Sequence, residues 1–326
     1  MNRSLVAAVG IAATVAFPVR ADVINESVCG ASPGGLWSLV GAGLDAAVKA
    51  QVPGSTLTYL TSSGGLANVV QVSNGVCAFG MANDGDLVFA RDGVDPFDAP
   101  VEGLTAVAVL YDWAPVWWIV REDFAEAHNL RSLADLAEAR PPVRLVQNRR
   151  GLLTSAITEA TLEAVGVSFD DIRSWGGSVQ FQASNDQTGL MRDGRIDMLG
   201  NTLFEGHRTL MEMGERTRLR LLDTPPEAAE AVIEQFGLQH WTISAEANPY
   251  EDRDIATVTT SIILFTREDA DEEMVYNITR AMIAFPERMG AVSAAMERFA
   301  PEVMINQNAA PFHPGAIRAF EEAGLM

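Results

Sequence analysis

Apolar positions along this chain follow two alternating spacings. From Val23 to Cys29 they are close-set and β-prone. From Leu36 onward, Leu36, Leu39, Val40, Gly43, Leu44, Ala47 and Val48 recur at helical intervals. Between the two runs lie Gly30, Ala31, Ser32, Pro33, Gly34 and Gly35. The pattern predicts a strand, a Gly-rich turn and a helix. Such a helix start directs free backbone N–H groups and the positive end of its dipole at whatever fills the turn. The expectation is half of a site for a small anion.

The same alternation continues. Ser55 to Thr61 reads as a strand, Ser62-Ser63-Gly64-Gly65 as a turn, and Leu66 to Val72, with Asn68, as a short helix ended by Gly75. Val76 to Met81 reads as a buried strand with Asn83-Asp84-Gly85-Asp86 at its end, then another short helix. Residues 92–103 form a surface loop. Leu104 to Leu110 is a central strand, Tyr111 to Pro115 breaks it, and Val116 to Arg121 resumes it, as in a crossover between lobes. Downstream, Val143 to Val146 is a strand. The turn Asn148-Arg149-Arg150-Gly151-Leu152-Leu153-Thr154 then leads into a helix closed by Gly166. A helix is expected over Val179 to Met191, then a strand near Gly194 to Gly200 with Asn201 and Thr202 at its end, and a helix over Leu203 to Met213. Leu219 to Leu222 is a strand, Pro225 to Phe236 a helix, and Ile255 to Phe265 a long returning strand. Helices over 268–285, 287–299 and 316–322 close the chain. Alternating strands and helices predict an α/β fold with mainly parallel sheets, which take ligands at the C-terminal ends of strands.

Composition narrows the setting. Arg3, an apolar run from Leu5 to Phe17 and the small-residue site Val19-Arg20-Ala21 predict a signal peptide over 1–21, too short to span a bilayer well. Glu26-Ser27-Val28 before Cys29 does not resemble a lipoprotein site, so a soluble periplasmic protein is expected. The formal charge is −20; without Arg3 and Arg20, 21 basic residues face 43 acidic ones, a net −22. That excludes nucleic acid and anionic membranes as partners. Lys49 is the sole lysine. Cys29 and Cys77 are the two cysteines, readable as a disulfide in an oxidising compartment or as two small buried side chains.

Catalytic motifs are missing. His128, His207, His240 and His313 have no metal-ligand spacing, and there is no CxxC, P-loop or G-x-S-x-G elbow. No metal or cofactor is expected, and no enzyme activity. Gly41-Ala42-Gly43-Leu44-Asp45-Ala46 matches a dinucleotide fingerprint but falls inside the first predicted helix, where small residues serve close packing. Asp84 and Asp86 read as solvated carboxylates at a strand end. What remains are three Gly/Ser/Thr-rich turns, at 30–35, 62–65 and 148–154, offering N–H and hydroxyl donors without a nucleophile. That is a binding profile.

These segments, in order, resemble the TAXI-type solute-binding proteins of TRAP (tripartite ATP-independent periplasmic) transporters. Ser32-Pro33-Gly34-Gly35-Leu36-Trp37 is similar to the family's G-G-T-Y-Y opening, and Ser62 to Asn68 to its S-x-G-S-x-x-N segment. Gly75 to Asn83 resembles its strand ending in Gln. Leu133-Ala134-Asp135-Leu136, Gly194-Arg195-Ile196-Asp197, Pro249 and His313-Pro314-Gly315-Ala316 match later segments. The resemblance implies a two-lobed, periplasmic-binding-protein-like fold. Lobe 1 would be 22–115 with 257–326 and lobe 2 would be 116–256, with a ligand in the cleft and closure on binding. It implies a monomer that delivers a small organic anion, an organic acid or amino acid, to a fused TRAP membrane permease. A sensor presenting its solute to a membrane signalling protein is the alternative.

By this resemblance and the turn chemistry, the expected ligand contacts are Ser32, Gly34, Gly35, Trp37, Ser63, Gly64, Asn68, Asn83, Thr154, Asn201 and Thr202. Arg149 and Arg150 are candidate carboxylate clamps. The chain departs from the family where Leu152 and Leu153 replace small polar residues, Trp37 replaces Tyr and Asn83 replaces Gln. An acid with an apolar or aromatic body is therefore expected rather than glutamate. Trp113, Trp117, Trp118 and Trp241 are ambiguous between cleft and core.

Overall fold

A computed structural model of the chain describes residues 22–31, 33–150 and 152–326. The expected signal peptide, Ser32 and Gly151 lie outside the described residues. The elements in chain order begin with β1 (Asn25–Cys29), α1 (Leu36–Gln51), β2 (Thr56–Leu60), α2 (Gly65–Ser73), β3 (Phe79–Asn83) and α3 (Asp84–Asp92). The central strand β4 (Leu104–Arg121) follows, then α4 (Glu122–His128), α5 (Ala134–Ala139), β5 (Arg144–Gln147), α6 (Leu153–Ala164) and α7 (Phe169–Ser174). Next come β6 (Ser178–Phe181), α8 (Ser184–Arg192), β7 (Met198–Thr202), α9 (Arg208–Gly214), β8 (Leu219–Leu221) and α10 (Pro226–Phe236). The chain finishes with β9 (Gln239–Ile243), β10 (Ile255–Arg267), α11 (Glu272–Ala284), α12 (Pro286–Gly290), two 3₁₀ turns and α13 (Pro314–Ala323).

The strands run in the order β2-β1-β3-β10-β4-β7-β5-β6, with β8 on β4 and β9 on β10. Pairs β1/β2, β1/β3, β5/β6 and β5/β7 are parallel. β10 runs antiparallel to β3, β4 and β9, and β4 antiparallel to β7 and β8. The sheet is therefore mixed, each half a parallel core closed by a long antiparallel strand.

The expected break at 111–115 is absent: β4 is one strand of 18 residues, buried along nearly its whole length. Pro115 has no N–H to give a ladder. Threonines of β10 make up the pairing. Ala114 N–H donates to Thr259 Oγ1 at 3.1 Å, the Thr259 hydroxyl donates to Asp112 O, and Thr257 Oγ1 donates to Val116 O at 2.8 Å. Register shifts in β10 between Thr260 and Ile263 absorb the irregularity. Pro115 pairs with Thr259 whereas Val116 pairs with Thr202, so β4 changes sheet between neighbouring residues.

The helix expected over 179–191 is also corrected. Ser178 to Phe181 pairs with Arg144 to Gln147 as an edge strand, and the helix starts only at Ser184. The buried strand lies at Phe79–Asn83 rather than Val76–Met81.

Helices cover both faces of each half. In the first half Leu44, Phe79, Leu110, Ile278 and Phe320 pack on one face, and Val69, Leu87, Ile263 and Phe265 on the other. In the second half Val120, Leu145, Ile157 and Phe236 form one layer, and Trp117, Ile119, Leu199 and Leu210 the other. Full burial of each such side chain contributes roughly 1.5–3 kcal/mol. Trp113, Trp117 and Trp118 belong to these cores. Cys29 and Cys77 form a disulfide with Cα atoms 5.9 Å apart. Cys77 stands just before β3, beside β1.

Candidate functional site

Between the halves lies a cavity of about 470 Å³. Its first-half wall comes from the β1–α1 turn, the start of α2 and the end of β3. Its second-half wall comes from the start of α6 and the end of β7, and Thr260 of β10 closes the seam. This is the strand-end position expected of ligands in open α/β sheets.

The three donor-rich turns do meet here, though not with all their residues. The opening turn reaches the cavity through Ala31 and Trp37. Gly34 and Gly35 face solvent, and the Gly34 N–H is occupied by Ser38 Oγ at 3.0 Å. Tyr59 fixes the turn: its hydroxyl accepts from Ala31 N–H at 2.6 Å and donates to Ala31 O at 3.1 Å. A Cβ on Gly30 would lie 2.1 Å from that ring, so glycine is required there. Trp37 is half-buried, its Nε1–H donating to the Tyr111 hydroxyl at 3.0 Å. Ser63 and Gly64 line the cavity as expected. Asn68 does not. It is fully buried, and its Nδ2 donates to Gly30 O at 2.8 Å and Met81 O at 2.7 Å, bracing the turn against β3.

In the second half, Thr154 and Thr202 line the cavity and Asn201 stands behind them. Asn201 Oδ1 accepts from Asn148 Nδ2, Thr154 Oγ1 and Thr202 N–H at 3.2, 3.2 and 3.0 Å. Its Nδ2 donates to Ser184 and Gln187. It is a buried hub that orients Thr154. Asn148, Ser184 and Gln187 had no separate signal in the sequence. Arg149 is exposed and lines neither this cavity nor its neighbour. The Arg150 guanidinium stacks on Phe181, 4.0 Å from the ring centroid, and borders an adjoining cavity of about 340 Å³. Leu66, Asp86, Leu152 and Leu153 border both spaces. Leu153 crosses the cleft: a Cβ on Gly85 would lie 2.7 Å from its Cδ1.

Two helices begin at the cavity, one from each half. The N–H groups of Gly65, Leu66 and Ala67 in α2 and of Leu153 and Thr154 in α6 meet no acceptor among the described residues. Such first-turn donors, with the helix dipoles behind them, suit an anionic oxygen. Trp37, Leu66, Leu152, Leu153 and Ile157 supply apolar surface.

The reading of Asp84 and Asp86 as solvated is overturned: they are 0% and 3% exposed. Asp84 accepts from Gly85 N–H (2.9 Å), Thr260 Oγ1 (2.8 Å) and Ser261 N–H (2.8 Å), tying α3 to β10. Burial pushes its carboxyl up to about 7, against those hydrogen bonds and with nearby Asp86 adding to the rise. Asp86 lines the cavity. Burial pushes it to about 6, offset only by the side-chain and backbone donors of Asn83. Among the described residues no cluster of His, Cys, Asp and Glu could hold a metal ion.

The sequence matches the NMT1-like family model over residues 28–324. The chain belongs to the NMT1-like family. Several solved structures are similar to it. A TctC solute-binding protein from Polaromonas is 15% identical, with TM-score 0.56 over 95% of this chain and 98% of that one. MatC from Rhodopseudomonas palustris, solved with bound malate, is 14% identical with TM-score 0.49, covering 94% and 98%. The alkanesulfonate-binding protein SsuA from Xanthomonas axonopodis pv. citri is 12% identical with TM-score 0.45, covering 92% and 84%. The NMT1-like chain thus has the two-lobed fold of solute-binding proteins. Among the described residues of this NMT1-like protein no helix is long and apolar enough to cross a membrane.

Proposed function

We propose that the protein is the periplasmic solute-binding subunit of a TAXI-type TRAP transporter. It captures a small carboxylate with an apolar body and hands it to a membrane permease. The carrying observation is the pair of helix starts, α2 and α6, whose N–H donors, without acceptors among the described residues, line one cavity from opposite halves. A carboxylate between them gains donors from both halves only when the halves approach, which is how binding energy drives closure. Lobe 1 is 22–115 with 257–326, lobe 2 is 116–256, and the protein acts as a monomer. Trp37, Ser63, Gly64, Asn83, Thr154 and Thr202 make the contacts. Gly34 and Gly35 shape the entrance. Asn68 and Asn201 position the turns, and Arg149 and Arg150 attract the anion at the rim.

Thermal unfolding against a library of organic acids and amino acids tests this. A solute at about 100 times its Kd adds about 2.7 kcal/mol to stability. Carboxylates with apolar bodies should raise the Tm. A library in which only solutes lacking a carboxylate raise it would overturn the reading.

A further inference from the structure

Asp86 is the single ionisable side chain lining the cavity among the described residues. Its Oδ2 accepts from the N–H and Nδ2–H of Asn83, both at 2.9 Å. No donor among the described residues reaches Oδ1. The carboxylate packs against the first residue of α2, where a Cβ on Gly65 would lie 2.3 Å from Oδ2. Arg150, which borders the adjoining space, is committed to the Phe181 ring, and nothing cationic offsets the rise in the carboxyl's pKa. A cavity lined by apolar side chains, neutral polar groups and helix-start N–H groups therefore contains one carboxylate, with an oxygen that no donor among the described residues reaches and no counter-charge.

We propose that Asp86 is a specificity-determining residue that accepts an ammonium group of the solute. The cleft then selects zwitterions with apolar bodies and rejects di-anionic acids. The inference rests on the carboxylate reading above. The solute's carboxylate meets the helix starts and its ammonium meets Asp86, leaving Trp37 and the leucines to its side chain. A buried carboxylate without a partner disfavours any ligand that brings more negative charge, and favours one that neutralises it. A solute lacking the donor leaves the acceptor dry and unpaired, which is how polar sites discriminate strongly.

The test is calorimetric titration of the full mature chain at neutral pH with two matched series. One is leucine, 2-hydroxy-4-methylpentanoate, 4-methylpentanoate and 3-methylbutylamine. The other is phenylalanine, 2-hydroxy-3-phenylpropanoate, 3-phenylpropanoate and 2-phenylethylamine. Within a series the amino acid should bind about tenfold to a hundredfold more tightly than the plain acid, the worth of one charge-assisted hydrogen bond. Asp86→Asn should erase that ratio. Asp84→Asn, whose parent carboxylate lies outside the cavity lining and is satisfied within the protein, should lower the Tm and preserve the ratio; it separates lost selectivity from lost stability. Plain acids binding as well as amino acids, with Asp86→Asn unchanged, would overturn the proposal and leave the carboxylate reading standing. Amines binding without a carboxylate, and only when Asp86 is intact, would uphold Asp86 and defeat the carboxylate reading. Hydroxy acids matching the amino acids would overturn the ammonium assignment, as would no binding in either series.

Discussion

Two of the places where the halves meet are chemically opposite. At the cavity, backbone donors from α2 and α6 and one Asp86 oxygen have no partners among the described residues. At a second contact, Glu205 from the β7–α9 connection joins Arg298 near the C-terminus. Arg298 Nη1 donates to Glu205 Oε2 at 2.5 Å, and Trp241 Nε1–H donates to Glu205 Oε1 at 2.8 Å. The guanidinium lies over Trp113 and Trp241, 4.9 and 5.5 Å from their centroids. Nearby Asn306 Nδ2 donates to Asp112 Oδ2 at 2.7 Å. The second contact is self-satisfied and the first is not. A seam that only holds a fold together fills its polar groups, as the great majority of buried groups do. Open donors and an open acceptor concentrated in one cavity mark where a third party is expected.

Four changes sharpen that contrast. Trp113→Ala removes a side chain 1% exposed whose Nε1–H donates to Ala295 O at 2.9 Å. It should cost about 3–5 kcal/mol in denaturant unfolding. Gly65→Ala places a methyl against Asp86 at a φ of +21°. It should cost about 1–3 kcal/mol through overpacking and abolish the solute-induced rise in Tm. Chemical denaturation across pH 4.5–8 follows Asp84 and Asp86, whose folded pKa values of about 7 and 6 stand above the ordinary 3.8. Their contribution is fully present below the unfolded value and is lost as pH rises through 6 and 7. Wild-type stability should therefore fall relative to Asp84→Asn over that interval, and a constant difference would contradict it. Arg298→Ala breaks a half-exposed ion pair and should cost about 1 kcal/mol or less, shrinking further at high salt.

The sequence read well where one period governed a segment. The helix from Leu36 starts where its spacing begins, and the three turns at strand-to-helix junctions do converge. It misled where tertiary pairing overrode local pattern. Tyr111 to Pro115 looks like a break, but Thr257 and Thr259, about 145 residues later, supply what Pro115 withholds. Val179 continues a helical spacing yet pairs with Leu145. Polar residues were the hardest to place. Asn68 and Asn201 match binding-type positions but spend their amides on backbone and neighbours. Asp84 and Asp86 look like surface acids, because nothing local shows that β10 and the start of α2 will cover them. Periodicity reports which face is apolar; it does not report which polar group will be enclosed.

The most direct test is a calorimetric titration of wild type, Trp37→Ala and Arg298→Ala with whichever amino acid or organic acid most raises the Tm. Loss of the Trp37 ring from the cavity wall should weaken binding by about tenfold or more, in line with deleting a large apolar contact. Loss of Arg298 from the satisfied seam should leave the affinity within about twofold, as expected for a site that shares no partners with the ligand. Unchanged affinity in Trp37→Ala together with a large loss in Arg298→Ala would place the solute at the other contact and contradict the account.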